Sequence, residues 1–335
     1  MPGIIENRST YGELVKGVSA KFGEVFNQSM ESYSLAINDA VAVLGNKLTK
    51  LFKEKTSDKS KERTVTKSGV GYLQATEEGV AFNQDSRQAG YTTEWQFKKF
   101  TNGVTVTLEA MEDRDYESAL DEFSDLTISA QETFDKHAFQ MFNYGFTAQA
   151  SSPNTYSKYG DGQPMFSTVH TRADGGTAQS NASATGLVFS EPNLEVARLA
   201  LQGQLDDRGK PMRVGTGKLI LLIPTDLEKQ AVIFTKGEKR SGTANNDINI
   251  YDGLMTVISS QYLRTAFGGS ATQWMVIDPR VAKIMHWVRK GVTPSRYIDN
   301  RTKDTTFDLY ARWTDGWADW RGMWGSTGDG ASYAL

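Results

Sequence analysis

The sequence predicts an α+β fold, because segments with helical and with strand periodicity follow one another in no repeating order. Residues 113–146 carry apolar side chains every three or four positions, which is typical of a helix. Residues 218–224, KLILLIP, are a short continuous apolar run that is typical of a buried strand. The chain has 335 residues, 39% of them hydrophobic, which allows a sizeable core in one large domain or two smaller ones.

The composition excludes several classes of site. The chain contains no cysteine, so disulfides, thiolate metal sites and cysteine nucleophiles are excluded. Its three histidines, His137, His170 and His286, are scattered and have no regularly spaced partner ligand that would complete a transition-metal site. We therefore expect neither a bound metal nor a cofactor.

Charge and hydropathy bound the location and the partners. The formal net charge of −3 argues against a protein that binds nucleic acid by neutralising phosphates. The sequence contains no apolar run long enough to span a bilayer, and its first residues, MPGIIENRSTYGE, lack the basic and apolar blocks of a secretory signal. These features predict a protein that folds in a cytoplasm.

The first ninety residues predict three segments. Apolar residues recur every three or four positions from Tyr11 to Phe52, which predicts two helices or one broken helix with an apolar stripe that needs a partner. Residues 47–67 contain eight Lys or Arg and three acidic residues, and we interpret them as a solvated flexible linker, with contact to nucleic acid or an acidic partner as the alternative. Residues 69–90 predict an extended excursion that leaves and rejoins the body.

A hairpin and a long helix are predicted next. Asn102-Gly103 lies between the alternating runs 91–97 and 104–108, which predicts a hairpin turn. Asp115 is the predicted N-cap and Gly145 the end of the helix. One face of this helix would carry Leu120, Phe123, Thr127, Ala130, Phe134, Ala138 and Met141. His137 lies next to that face and is interpreted as a packed or half-exposed residue, not as a metal ligand.

The second half of the chain predicts a mixture of short elements. They are a helix that Ser190 caps and that runs to Leu205, a turn-rich connector over 205–217, the strand 218–224, a helix from Asp226 to Thr235, strands in 254–263 and 273–278, a helix that Asp278-Pro279 caps and that runs to Lys290, and a strand from Thr305 to Trp313.

The polar stretch MFSTVHTRADGGTAQSNAS, residues 165–183, contains the residue types of an acyl-transfer triad, Ser167, His170 and Asp174. Such triads are assembled from residues far apart in sequence, with the nucleophile on a strained turn, and the chain has no G-x-S-x-G motif. We therefore interpret the stretch as a loop.

Other motifs are weaker. VGTGK, residues 214–218, lacks the spacing of a phosphate-binding loop and precedes its strand, and NNDINIYDG, residues 245–253, lacks the alternation of a calcium loop. Trp313, Trp317, Trp320 and Trp324 could form a ligand platform, but with no polar partners nearby in sequence we interpret them as packing residues. The sequence thus predicts no catalytic, cofactor-binding or metal-ligating residue and no enzyme.

Five stretches in order carry a resemblance that none of them carries alone. They are GVTVTLEAMEDRDYE (103–117), MFSTVHTRADGGTAQSN (165–181), LDDRGKPMRVGTGKLILLIPTDLEKQA (205–231), residues 249–263 with Asp247 just before them, and WMVIDP (274–279). Over residues 70–325 the chain resembles the major capsid (head) proteins of tailed double-stranded DNA bacteriophages, in particular the Mu-like major head subunits with the Hong Kong 97 (HK97) type of fold.

The resemblance implies a domain organisation. Residues 1–67 would be an N-terminal helical arm and linker, 68–103 an extended loop, 104–186 a peripheral domain with a spine helix over 115–146, 187–290 an axial domain, and 291–335 a return to the peripheral domain. The polar stretch 165–183 would then connect the spine helix to the axial domain.

The resemblance also implies a function and partners. Copies of the chain would form hexamers and pentamers that close into an icosahedral shell around double-stranded DNA, which would be contacted weakly and without sequence specificity. A portal protein, with decoration or scaffolding proteins as further candidates, would be the other partners, and no membrane is involved. The protein would lie in the virion, and in the host cytoplasm during assembly.

Further expectations concern processing and alternative functions. Many such proteins lose an N-terminal scaffolding segment, whereas this sequence starts at Met1. Either the chain is not cleaved or assembly uses a separate scaffold, and we expect no cleavage. No Lys and Asn pair could be assigned to a covalent crosslink. An encapsulin-like compartment of the same fold, enclosing an enzyme, is one alternative function. A serine hydrolase using Ser167 and His170 is the alternative from another class.

Overall fold

The computed structural model describes residues 51–112, 116–152, 157–237 and 248–333. In chain order, the elements of these ranges are β1 (Lys53–Thr56), β2 (Lys61–Lys67), β3 (Ala89–Gln96), β4 (Lys98–Val106), α1 (Leu108–Glu112), α2 (Tyr116–Asn143), β5 (Ser157–Lys158), α3 (Glu191–Gln202), β6 (Leu219–Pro224), α4 (Glu228–Thr235), β7 (Met255–Ser260), β8 (Trp274–Ile277), β9 (Ile284–Ile298), β10 (Thr305–Trp317) and β11 (Met323–Ser326). Short 3-10 turns occupy Thr225–Leu227, Gln261–Leu263 and Thr265–Phe267. The irregular mixture confirms the predicted α+β class.

The central sheet has the strand order β11-β8-β6-β7. Strand β6 is parallel to β7 and antiparallel to β8, and β8 is antiparallel to β11. Every residue of β6 and β8 is buried, which is expected for a sheet covered on both faces.

Alternate residues of β6 enter two different hydrophobic clusters. Ile220 and Leu222 pack in a cluster with the C-terminal part of α2, which contributes Ala138, Met141 and Phe142. Leu219, Leu221 and Ile223 pack in a second cluster, to which α3 contributes Leu194, Ala197 and Leu201 and α4 contributes Ala231. Because successive side chains of a strand point to opposite faces of the sheet, the two clusters form two layers of the core, one on each face of β6.

Helix α3 begins where the sequence predicts. The Ser190 side chain accepts a hydrogen bond from the Asn193 N–H at 3.4 Å, and Pro192 stands in the first turn. The buried positions 194, 197 and 201 are three and four residues apart, so one stripe faces the sheet.

Two further sheets have the orders β1-β9-β10-β4 and β2-β3-β5. Strand β1 runs parallel to β9, with Lys53 opposite Met285, and β2 runs antiparallel to β3. Trp95 of β3 is fully buried against Met285, Trp287 and Ala318, which form a third, smaller cluster.

The chain divides into two compact units. Among the described residues, one unit comprises 101–112, 116–132 and 293–310, and the other comprises the rest. Within the first unit, Asn102 donates to Ser129 Oγ at 3.1 Å and the Leu108 N–H donates to Asp304 Oδ1 at 3.2 Å. The second unit contains the three hydrophobic clusters. Within the described ranges, none of the helices is both long and apolar enough to cross a membrane.

The flexible linker predicted over 47–67 is wrong for its described part, because residues 53–56 and 61–67 form β1 and β2. Both are edge strands, and exposed lysines are common on edge strands, where they discourage further pairing. Their partners lie far away, at 285–288 and 89–96, so the local composition carries no sign of the pairing.

The hairpin predicted at Asn102-Gly103 is also wrong, because both residues lie inside the continuous strand β4. An added Cβ at Gly103 would lie 3.0 Å from the Phe307 carbonyl oxygen, so the glycine permits a close approach of the β10 backbone. The alternating runs on either side do form strands, but β3 pairs with β2 and β5, and β4 with β10.

The helix predicted from Asp278 to Lys290 is wrong. The Asp278 carboxylate accepts from the Arg280 N–H at 3.1 Å and closes one turn, after which β9 begins at Ile284. The predicted capping hydrogen bond therefore forms, but the residues from Ile284 onward pair in a β-sheet instead of continuing as a helix.

The other predicted elements are confirmed within a few residues. These are α2, which ends two residues before Gly145, α3, β6, the 3-10 turn with α4, β7, β8, and β10, which extends to Trp317. Ala138 and Met141 of the predicted α2 face are buried and Phe134 packs against the same cluster. The helical prediction for Tyr11–Phe52 lies outside the described residues except for Leu51 and Phe52, and so does the cap Asp115.

Candidate functional site

The triad-like residues of the polar stretch bond to separate partners. His170 is fully buried, its Nδ1 lies 2.7 Å from Asp161 Oδ2, and its Nε2 lies 3.1 Å from Asn181 Oδ1. Ser167 is also fully buried, and its Oγ accepts from the Val169 N–H at 3.1 Å. Asp174 pairs with Arg172 and accepts from the Gly176 N–H, and these hydrogen bonds lower the pKa of the Asp174 carboxyl.

Asn181 fixes the hydrogen-bonding role of His170. Asn181 Oδ1 accepts from the Ser167 N–H at 2.8 Å, and Nδ2 donates to the Met165 carbonyl at 2.8 Å. Because a backbone N–H can only donate and a carbonyl can only accept, the amide orientation is determined. His170 Nε2 therefore donates to Asn181, and its Nδ1 faces a carboxylate. Residues 165–167, His170 and Asn181 of the stretch are buried and form a structural network, while most of residues 171–180 are exposed, in agreement with its interpretation as a loop.

A buried arginine extends this network. The Arg321 side chain is 4% exposed and pairs with Asp207 at 2.7 Å and with Asp319 at 3.2 Å. Its Nε donates to the Leu205 carbonyl at 2.8 Å, and the guanidinium lies 4.8 Å from the centroid of the Trp320 ring. Burial alone would lower the pKa of Arg321, but Asp319 and Asp207 outweigh it and raise the pKa, so the guanidinium is charged.

The tryptophan cluster consists of packing residues, as predicted. All four are buried: Trp313, Trp317, Trp320 and Trp324. Trp313 stacks on Phe100 with ring centroids 3.9 Å apart, and Trp324 lies 5.0 Å from Trp274. Their faces are covered by protein, which leaves no platform for a ligand.

His137 is a packed residue, as the sequence indicates. Its ring lies edge-on to Phe100, with centroids 4.7 Å apart. Burial lowers the pKa of this imidazole. Among the residues that the structure describes, no group of three His, Asp or Glu could hold a metal ion.

The two loop motifs are occupied by the protein itself. The Gly215 N–H of VGTGK donates to Asp278 Oδ2 at 2.9 Å, so a carboxylate stands where a phosphate loop would hold an anion. Residues 248–253 form a surface loop, in which the Asn249 side chain accepts from the Tyr251 N–H and donates to the Phe234 and Gly237 carbonyls. The first residues of this motif, 245–247, lie outside the described ranges.

The candidate functional surface is the segment between β2 and β3, residues 68–88, which we call the exposed loop. It has no helix or strand, as the predicted excursion implies. Leu73 is fully exposed at 102% and Phe82 at 93%, and Val70, Tyr72 and Val80 are also more than half exposed. Several large apolar side chains offered together to solvent are a mark of an interaction surface.

The exposed loop has two limbs, one before and one after the tip turn over residues 77–80. Hydrogen bonds between the two limbs hold the loop extended. The Ser68 N–H donates to the Gln88 carbonyl at 3.0 Å, the Gly71 N–H to Asp85 Oδ2 at 2.6 Å, and the Asn83 side chain to Gln74 Oε1 at 2.7 Å. At the tip the Val80 N–H donates to the Glu77 carbonyl, and Gly79 takes a positive φ of 82°. A fourth cross-limb bond joins the Ser68 hydroxyl to the Gln88 carbonyl at 3.4 Å. Three of these four bonds use side chains, so this is not a β-ladder.

The sequence indicated the excursion but not the residues that matter in it. Leu73 and Phe82 follow neither helical nor strand spacing, so periodicity could not single them out. Their one signal is that they are large apolar residues inside an otherwise polar segment without structure. Arg208, the ion-pair partner of Asp85, lies 123 residues away, in a stretch where only a turn was predicted.

A family model described as phage capsid protein matches residues 90–326. No curated protein matches the chain.

Solved structures share the fold at low identity. The capsid of the native GTA particle matches with a TM-score of 0.51 and 12% identity, over 86% of this chain and 90% of that chain. A structure of Mycobacterium phage Patience matches with a TM-score of 0.52 and 12% identity, over 90% of this chain and 89% of that chain.

Proposed function

The chain belongs to the phage capsid protein family, and from this membership we propose that it is the major subunit of an icosahedral head shell, built from hexamers and pentamers around double-stranded DNA. The observation that carries the proposal is the family match over residues 90–326, which includes both layers of the core around β6. As a member of this family the protein is a shell-forming structural component of a virion.

The physical basis of assembly is the use of different surfaces toward different neighbours. Head-to-tail contacts close into rings, and contacts between rings close a shell. Each contact can be weak, because a subunit that touches many others gains their combined effect. The exposed loop fits this role, since Leu73 and Phe82 would leave water only when another copy covers them.

We propose the same domain boundaries that the resemblance implies: arm 1–67, extended loop 68–103, peripheral domain 104–186, axial domain 187–290 and C-terminal return 291–335. The exposed loop lies within 68–103, and helix α2 supports the assignment of the spine helix. Strand β11 pairs with β8, so residues of the C-terminal segment share a sheet with the proposed axial domain.

Further partners are part of the proposal. A portal protein, with decoration or scaffolding proteins as further candidates, would complete the particle, and assembly would take place in the host cytoplasm. Contact with packaged DNA would be weak, because a chain with a net charge of −3 attracts phosphates little. Weak contact suits a container, since strong attraction to the DNA would hinder its filling and release. Family membership supports a structural and not an enzymatic role.

Expression of the full chain followed by sedimentation and electron microscopy tests the proposal. We expect rings or closed shells. A monomer that stays monomeric at every concentration and ionic strength would contradict it. Shells that co-purify with an enclosed enzyme would instead favour the encapsulin-like alternative.

A serine-directed fluorophosphonate separates the hydrolase alternative from the proposal. We expect no labelling, because His170 bonds to Asp161 and Asn181. Labelling of the native chain that disappears in Ser167→Ala would contradict a purely structural role.

A further inference from the structure

Arg208 holds one limb of the exposed loop. Its Nη1 lies 2.5 Å from Asp85 Oδ2 and its Nη2 lies 2.8 Å from Asp85 Oδ1, and Nη2 also donates to the Ser86 carbonyl at 2.5 Å. This two-point geometry fixes both the distance and the angle of the pair. Because Asp85 Oδ2 also accepts from the Gly71 N–H, the same carboxylate reaches the other limb.

Lys210 holds that other limb directly. Its Nζ donates to the Val70 carbonyl at 2.9 Å and lies 4.5 Å from the centroid of the Tyr72 ring. Two cations that are two residues apart therefore contact both limbs at the same level, residues 70–72 on one side and 85–86 on the other.

The turn that carries the two cations is itself firmly supported. Asp206 Oδ1 accepts from the Arg208 and Lys210 N–H groups, both at 2.8 Å, and Gly209 supplies the positive φ of 75° that the turn requires. The neighbouring Asp207 is anchored at 2.7 Å to the buried Arg321. The contacts to the exposed loop thus start from a turn that is anchored to the core.

Among the described residues, little beyond this level holds the exposed loop. The remaining bonds between the limbs are the Asn83–Gln74 pair and the tip turn at Val80, and Leu73 and Phe82 point away from the body, as their exposure shows. The direction of the whole outer part therefore depends on how its base is fixed.

We expect the Asp85–Arg208 pair to stay intact in mild acid. The hydrogen bonds from Arg208 and from the Gly71 N–H hold the pKa of the Asp85 carboxyl well below its usual range. A lowered carboxyl pKa means that the contact is present above the ordinary value and is lost only when the pH falls through the lowered one.

We propose that Arg208 and Lys210 are positioning residues that latch the base of the exposed loop and so set the direction in which each subunit presents Leu73 and Phe82 to a neighbouring copy. This inference rests on the proposed function, because the neighbour is a second copy of this chain. The latch itself is a property of one subunit and is tested separately from assembly.

Hydrogen exchange of the full chain tests the latch. Unassembled and assembled material are separated by sedimentation and measured apart. In Arg208→Gln and in Asp85→Asn we expect exchange at residues 69–72 and 84–87 of the unassembled fraction to rise about fivefold, the scale on which one partly exposed ion pair acts. Arg264→Gln is the matched control, since Arg264 makes a two-point pair with Asp226 elsewhere in the chain, with both distances 2.9 Å.

The outcomes are distinct. Increased exchange in both latch variants but not in Arg264→Gln supports the latch. Unchanged exchange in Arg208→Gln and Asp85→Asn, or an equal rise in the control, overturns it.

Assembly measured on the same proteins separates the latch from the proposed function. We expect shell formation by Arg208→Gln to slow several-fold, while the double variant Leu73→Ser, Phe82→Ser should assemble poorly yet keep normal exchange at the base. A loosened base with unchanged assembly overturns the positioning role. Normal assembly of the double variant contradicts the proposed use of the exposed loop and leaves the exchange result standing.

Discussion

The imidazole of His170 lies parallel to the indole of Trp320, with ring centroids 4.5 Å apart and 4° between the ring planes. Both side chains are fully buried, and the imidazole also bonds to Asp161 and Asn181. One histidine thus joins a loop residue, the polar stretch and the segment after β10. Residues that could suggest an active site instead hold the segment 161–181 against the distant segment that carries Trp320.

The first prediction concerns this histidine. His170→Gln removes the partner of the buried Asp161 carboxylate, so we expect the free energy of unfolding to fall by about 3 kcal/mol. Urea denaturation measures it, with His137→Gln as control, since His137 is only partly buried and should cost less than about 1 kcal/mol. Asp161→Asn in the His170→Gln background should recover part of the loss, because no buried charge then remains. Equal losses in the two single variants would contradict the structural role of His170.

Two glycines near the C-terminus provide a matched pair. Both have a positive φ, 70° at Gly328 and 73° at Gly330. An added Cβ at Gly328 would lie 1.9 Å from the Thr272 carbonyl oxygen. An added Cβ at Gly330 would have no described atom within 4 Å. We expect Gly330→Ala to cost about 1 kcal/mol of backbone strain. Gly328→Ala should cost clearly more, measured as a larger drop in the thermal midpoint, and a smaller drop would contradict the close approach.

The environment of Tyr251 predicts that the stability of the fold decreases at alkaline pH. Its hydroxyl donates to Glu195 Oε2 at 3.2 Å, and burial, followed by the charge of Glu195, raises the pKa of Tyr251 to about 12. A phenol with a raised folded-state pKa stabilises the fold below the unfolded value near 10, and this contribution is lost as the pH rises toward 12. The advantage of the native protein over Tyr251→Phe should be about 1 kcal/mol at pH 7 and shrink between pH 10 and 12.

Chemical denaturation at several pH values measures this difference. Tyr297→Phe is the control, because Tyr297 is 57% exposed and its substitution should leave the stability unchanged. A constant difference between the native protein and Tyr251→Phe up to pH 12 would show that the hydroxyl titrates as if it were free.

Shell formation should depend on the exposed loop. Burying a large apolar side chain contributes about 1.5–3 kcal/mol, so removing Leu73 and Phe82 together should raise the subunit concentration needed for assembly at least about tenfold. Light scattering and sedimentation measure that concentration. The control is Ala75→Ser with Ala81→Ser, which puts two serines into the same exposed segment without removing a large side chain. If both double variants need the same subunit concentration for assembly, the exposed loop does not contribute to the contacts between subunits.

The sequence predicted those elements whose signals are local. Strand β6 is a continuous apolar run, and α3 has a serine cap, a proline and a regular stripe, so neither depends on distant partners for its identification. Strands β1 and β2 were missed because charged edge strands resemble linkers until their partners are known. Asn102-Gly103 misled because a glycine that permits a turn also permits close approach of another strand.

The candidate site shows the same limit. The absence of helical or strand spacing in residues 69–90 predicted the excursion. The contact of Arg208 with Asp85 joins residues 123 positions apart and has no local signature, so only the folded chain shows it. The tie between His170 and Trp320 is of the same kind.

The limbs of the exposed loop are tied mainly through side chains, and this has a consequence for curvature. A continuous backbone ladder resists bending, because its hydrogen bonds break together, whereas a side-chain bridge adjusts by rotating χ angles one residue at a time. In the proposed shell of hexamers and pentamers, identical chains would occupy places where the surface bends by different amounts. A segment latched at its base and adjustable above it would let one sequence meet these quasi-equivalent surroundings without refolding.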